Sequence, residues 1–164
     1  MGSDFLAIYL NDHLAGSTVG CELSKRTAQS NQGTEFGDFL ERIHGEIVED
    51  RDTLEDVMHK LDVGKDRLKA AGAYAGEKVG RLKLNGQLRG YSPLSRVIEL
   101  EGLALGVTGK EALWKALATL ADPRLADFDF DALAERAERQ QEELEAHRLR
   151  AVEIAFEGAA QRTP

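Results

Sequence analysis

Two histidines and two carboxylates stand in helical rows of otherwise apolar or small residues, and they define the chemistry open to this chain. In the stretch AIYLNDHLAGSTVG, His13 is in phase with Leu6, Tyr9, Gly16, Gly20 and Leu23. Asp50 is the polar member of the row Phe36, Leu40, Ile43, Ile47, Leu54, Val57 and Leu61. Glu101 is the acid among Leu94, Val97, Ile98, Ala104, Leu105, Thr108 and Ala112, and His147 follows Leu133, Ala137, Gln140 and Leu144 before Ala151 and Ile154. Imidazoles and carboxylates facing one another in a core have two uses. They can satisfy each other's hydrogen bonds and fix helix register, or they can ligate Fe, Mn or Zn.

The elements that must position these residues follow from the same periodicity. Long helices are expected at about 4–28, 35–62, 92–120 and 129–157. Ser92 and Pro93 form a start signal, Gly64 a stop, and SNQGTE and ADPRLADFD are turns. Gly106 and Gly109 favour a bend, and TGKE reads as a capping box able to restart the helix. KDRLKAAGAYAGEKVGRLKL predicts a shorter crossover helix at about 66–84, with Gly72, Gly76 and Gly80 as a small-residue ridge for close packing; a hairpin about Asn85-Gly86 is the rival reading. Residues 1–164 thus form a single domain, an all-α antiparallel four-helix bundle with short first and third connections and a long second one.

Residues equally distant from a short turn lie at one height in an antiparallel pair. A first turn centred near residue 31 or 32 levels His13 with Asp50, and a second near 124 or 125 levels Glu101 with His147. If the hairpins align, these four residues converge as a metal ligand set, with Tyr9, Glu46, Gln140 and Glu143 as surrounding partners. Asn11, Thr18, Glu22 and Lys25 mark the solvent side of the first helix, and Glu99 and Lys110 that of the third. Tyr9, Ile47, Leu54, Leu105 and Leu144 are expected inside, His44 and His59 on the surface, and Trp114 and Cys21 in packing roles.

The helices of FLAIYLNDHLAGSTVG, FLERIHGEIVEDRDTLEDVMHKL, PLSRVIELEGLALGVTG and LAERAERQQEELEAHRLRAVEIAF, with the long middle crossover, resemble the ferritin-like superfamily over nearly the whole chain. That resemblance implies a bundle which often holds a pair of metals for oxygen chemistry or iron storage. Family sites use a Glu on two helices and a Glu-x-x-His pair on the other two. Glu101 matches the lone glutamate of the third helix and His147 the histidine of the fourth; Leu144 replaces the paired glutamate, Asp50 the second-helix pair, and His13 the glutamate of the first helix.

A net charge of −8 opposes generic binding to nucleic acid or anionic membranes, although residues 60–96 carry +6 against −14 elsewhere. With Cys21 alone there is no intramolecular disulfide, and with no bilayer-length apolar run or signal peptide a cytoplasmic location is expected. No Ser-His-Asp arrangement or phosphate loop emerges. Two function classes follow: a non-catalytic bundle acting through its surfaces or as a homo-oligomer, and a metal-binding protein or metal-dependent oxidoreductase with a modified site in the core.

Overall fold

The computed structural model describes residues 2–65 and 90–157, and among these the regular structure is helical: α1 (Gly2–Ser30), α2 (Gly37–Lys60), α3 (Pro93–Leu120) and α4 (Phe130–Ala155), with a single 3-10 turn at Pro123–Leu125. No described helix is long and apolar enough to cross a membrane. The crossover helix at 66–84, its three glycines and the Asn85-Gly86 turn lie outside the described residues.

Local chemistry accounts for the helix ends. The Ser92 hydroxyl accepts from the Ser95 amide at 3.1 Å, with Pro93 in the first helical position. The Asp129 carboxylate likewise accepts from the Ala132 amide at 2.9 Å. Between α1 and α2 the chain turns through Gly33 at φ 74°, and at Gly37 a Cβ would come within 3.0 Å of the Asn31 carbonyl oxygen, so glycine permits this tight entry into α2.

Cross-helix contacts set the arrangement. Ser24 meets His44 at 2.8 Å and Asn11 reaches the Gly64 carbonyl at 3.0 Å, so α1 and α2 are antiparallel. Arg26 meets Glu99 at 3.0 Å while Leu23 packs on Gly102, making α1 and α3 antiparallel. Arg150–Glu35 at 3.1 Å and Arg136–Glu49 at 3.0 Å do the same for α2 and α4, and Lys115–Glu138 at 3.0 Å and Arg148–Glu101 at 3.5 Å for α3 and α4. Every neighbouring pair is therefore antiparallel, which opposes their dipoles favourably. One consequence is that the end of α2 and the start of α3 lie at opposite ends of the bundle, about 40 Å apart for the 28 residues of α3.

The α2 row is buried as the period requires: Phe36, Leu40, Ile43, Ile47, Asp50, Leu54, Val57 and Leu61 all face the core. In α4 Ala137, Gln140, Leu144 and Ala151 are likewise buried, whereas the phases of α3 and α1 need correction. In α3 the buried row is Val97, Leu100, Leu103, Val107, Trp114 and Leu117, while Leu105 is 76% exposed. Leu94, Ile98, Ala104 and Leu105 surround the first half of this helix with apolar surface, so periodicity alone does not single out its buried face. Glu99 and Lys110, read as solvent markers, decide between them by turning inward onto partners. The helix also runs without interruption through Gly106 and Gly109, with no bend-and-restart. In α1 the core row is Leu10, Leu14, Cys21, Ser24 and Ala28, and Asn11 is buried, held by the Ala7 and Gly64 carbonyls. Tyr9 is only half-buried.

At one end of the bundle Asn31 joins α1 to α3. Its amide donates to the Thr27 carbonyl and the Tyr91 hydroxyl, both at 2.8 Å, and its oxygen accepts from Arg96, whose guanidinium lies 4.4 Å from the centre of the Phe36 ring. Tyr91 in turn donates to Glu99 at 2.9 Å, and burial pushes its phenol well above the ordinary tyrosine range. Asn31→Ala strands these buried groups and is expected to cost about 1–3 kcal/mol, read as a lower midpoint in urea unfolding with an unchanged slope.

Candidate functional site

The polar residues of the core form an ion-pair cluster. Asp50, 2% exposed, accepts on one carboxylate oxygen from the Lys110 ammonium and on the other from the Arg136 guanidinium. Lys110 also donates to the Gln140 oxygen, whose amide donates to Glu46 at 2.8 Å, and Arg136 reaches Glu49 at 3.0 Å. Glu46 and Glu143 are in turn bridged by Arg42, at 2.9 and 2.5 Å. Burial lowers the Lys110 pKa, and the adjacent Asp50 charge opposes that shift. The cluster ties α2, α3 and α4 together at one level.

The four expected metal residues are not brought together. His13 is half-buried, its ring edge-on to Tyr9 with centroids 4.5 Å apart, and it has no hydrogen bond to a described residue. The facing pairs Ser24–His44 and Gly20–Ile47 set the α1–α2 register so that His13 stands level with Leu54, about one turn past Asp50. Glu101 is exposed and meets Arg148 at 3.5 Å. His147 stacks on Phe39 of α2 with centroids 3.7 Å apart and donates from Nδ1 to the Glu143 carbonyl at 2.7 Å, so it faces away from α3. His44, expected on the surface, is half-buried against Ser24.

A metal centre in this core does not fit the residues present. The two oxygens of Asp50 are occupied by an ammonium and a guanidinium, and no group of three or more His, Cys, Asp or Glu among the described residues is arranged to hold an ion. A lysine and an arginine provide the positive charge opposite Asp50.

A cavity of about 330 Å³ lies beside the cluster, between α1 and α3. Ile47, Leu54, Leu103, Val107 and Trp114 form its apolar wall, and His13, Asp50, Arg51 and Lys110 its polar one. Gly16 and Gly20 of α1 face Gly102, Gly106 and Gly109 of α3 across it. The row around His13 is therefore a cavity wall and not a core stripe. A volume near 300 Å³ with mainly apolar walls and few polar groups is characteristic of a small-molecule site.

Comparison with known proteins finds no family model, curated protein or solved structure that matches this chain. Lys110, Arg136, Arg51 and the glycines of α3 were missed as site residues in the sequence. The available signal was the row Leu103, Val107, Lys110, Trp114 and Leu117, continuous at helical spacing once Lys110 is admitted to it. Cys21 keeps its packing role: it is buried near the Ile47 carbonyl, and burial pushes its thiol pKa up.

Two outcomes test this geometry. Asp50→Ala leaves Lys110 buried without its counter-charge and is expected to cost about 3–5 kcal/mol, whereas Asp50→Leu with Lys110→Met should recover most of the loss, since Arg136 keeps Glu49. Denaturant unfolding of the single and double variants checks this. Burial lowers the His13 pKa, with Asp12 partly opposing. The unfolded chain then binds the proton more tightly, so stability falls as pH drops below about 6.5 toward the folded-state value. In His13→Asn that part of the acid loss should vanish, read as a smaller change in urea midpoint between neutral and mildly acidic buffer.

Proposed function

We propose that this protein is a non-catalytic bundle of ferritin-like architecture that binds a small, largely apolar molecule in the cavity between α1 and α3. The observation carrying this reading concerns Gly16, Gly106 and Gly109. All three line the cavity within helices, and a Cβ built on any of them meets no atom within 4 Å. Packing therefore does not require glycine there, yet glycine in a helix interior costs about 0.5–1 kcal/mol relative to alanine. Gly45 of α2 is equally open without lining the cavity, so the concentration of such glycines around one space is the distinguishing feature. Their effect is to keep that space empty of side chains.

The architectural part rests on the antiparallel contacts between all neighbouring helices and on the placement of the end of α2 and the start of α3 at opposite ends of the bundle. The non-catalytic part rests on the cluster, in which both oxygens of the Asp50 carboxylate are taken by Lys110 and Arg136. Association into a homo-oligomer and a cytoplasmic setting belong to the same proposal, and the exposed side chains of Phe5 and Leu105, 68% and 76% accessible, offer apolar surface for association.

The test is saturable binding of a neutral fluorescent apolar probe such as N-phenylnaphthylamine, followed also by Trp114, the sole tryptophan and part of the cavity wall. Gly106→Leu and Gly16→Leu should abolish the response while leaving Tm unchanged or raised, because the added side chains enter open space. Absence of saturable binding to the unaltered chain, or equal binding to the filled variants, would overturn the reading.

A further inference from the structure

Resting on the cavity as a ligand site, we infer that its ligand is an apolar monocarboxylate whose carboxylate is received by Lys110, Trp114 and Arg51. Several hydrogen-bond donors in the cavity wall are unspent. An ammonium has three N–H groups. Lys110 directs two of them, to Asp50 and Gln140, and has one left on a residue that lines the cavity. Trp114, one helical turn further along α3, is fully buried and lines the same cavity, and its indole N–H has no hydrogen-bond partner. Indole nitrogen is a donor only, so the group that satisfies it must be an acceptor.

Arg51 lines the cavity from α2 and spends Nε and Nη2 on Asp52, leaving Nη1 free of any described partner. Among the acceptors both oxygens of Asp50 are taken, the Ser17 hydroxyl donates to the Leu14 carbonyl at 2.7 Å and keeps its lone pairs, and Tyr9 and His13 can each either donate or accept. Asp12 sits exposed at the rim. The polar wall thus presents a surplus of donors, two of them cationic, to a space otherwise lined by aliphatic and aromatic carbon.

A carboxylate supplies what this wall lacks: several lone pairs and a negative charge. A hydroxyl supplies the acceptor without the charge, and an ammonium supplies more donors. Asp50 does not repel the incoming group decisively, because its charge is divided between Lys110 and Arg136. The apolar remainder of the ligand is matched by Ile47, Leu54, Leu103 and Val107.

The experiment is displacement of the bound neutral probe from the full chain by decanoate, decanol and decylamine, each below its micelle concentration. Decanoate is expected to displace at least tenfold more tightly than decanol, with decylamine weakest. Trp114→Phe keeps an aromatic ring, smaller than the indole, and removes the N–H, and should narrow the decanoate-to-decanol ratio several-fold, the ratio cancelling the change in apolar packing common to both probes; Lys110→Met should bring the ratio close to one. Equal displacement by acid and alcohol, or preference for the amine, overturns the carboxylate inference while leaving the cavity reading intact. Failure of the neutral probe itself to bind would instead defeat the cavity reading.

Discussion

The buried carboxylate of Asp50, divided between Lys110 and Arg136, is the constraint on which the rest of the bundle depends. Its residues sit where two hydrophobic clusters meet, one built on Phe36, Leu40, Ile43, Leu100 and Leu144, the other on Leu10, Leu14, Leu54, Met58, Trp114 and Phe130. Leucine rows slide past one another in many nearly equivalent registers. A charge in the core does not, because removing it from water costs several kcal/mol that only a well-placed counter-charge returns. Asp50 on α2, Lys110 on α3 and Arg136 on α4 therefore select one mutual height and one rotation of three helices. Replacing such a cluster by apolar residues of similar shape is often neutral or stabilising, so its contribution here lies in selecting a single packing.

That constraint explains the rotation of α3. Its apolar residues would allow Leu105 to face inward, but then Lys110 would leave Asp50 and Glu99 would leave Arg26 and Tyr91. Two ionic contacts, one near mid-bundle and one near its end, outweigh a modest gain in leucine burial of about 1.5–3 kcal/mol. Polar side chains thus specify an orientation that hydrophobicity leaves open.

The legibility of the fold in the sequence follows from the same division. Helix positions and ends were readable because amphipathic periodicity, Ser92-Pro93 and the turn residues are local signals. The α2 face was readable because its apolar row contains one polar residue and its other sides are charged. The α1 and α3 faces were not, since Asn11, Glu99 and Lys110 are polar residues whose partners lie 53, 73 and 60 positions away. A rule that sends polar groups to solvent fails where a distant partner replaces water. Asp50 was legible as a special residue, but its partners were sought among histidines, and a lysine and an arginine fill that role. His13 was singled out correctly as unusual, and the glycines in its row were the clue to an open wall.

The shape of that wall follows from two kinds of glycine along one interface. At Gly102 a Cβ would meet the Leu23 side chain at 3.1 Å, so glycine there lets α1 and α3 close tightly. Further along, at Gly106 and Gly109 on α3 and Gly16 on α1, a Cβ would meet nothing within 4 Å. The same pair of helices is tight at Gly102 and open around Gly16, Gly106 and Gly109. Lys110 and Trp114 line that open stretch, so the cluster that fixes the register also contributes to the polar wall of the space. Because Lys110 is held by Asp50 and Gln140, that wall is preorganised before any ligand arrives, and a bound group would meet donors whose positions are already set. Lys110 belongs both to the register constraint and to the polar wall of the cavity, which couples the stability of the bundle to the geometry of its cavity.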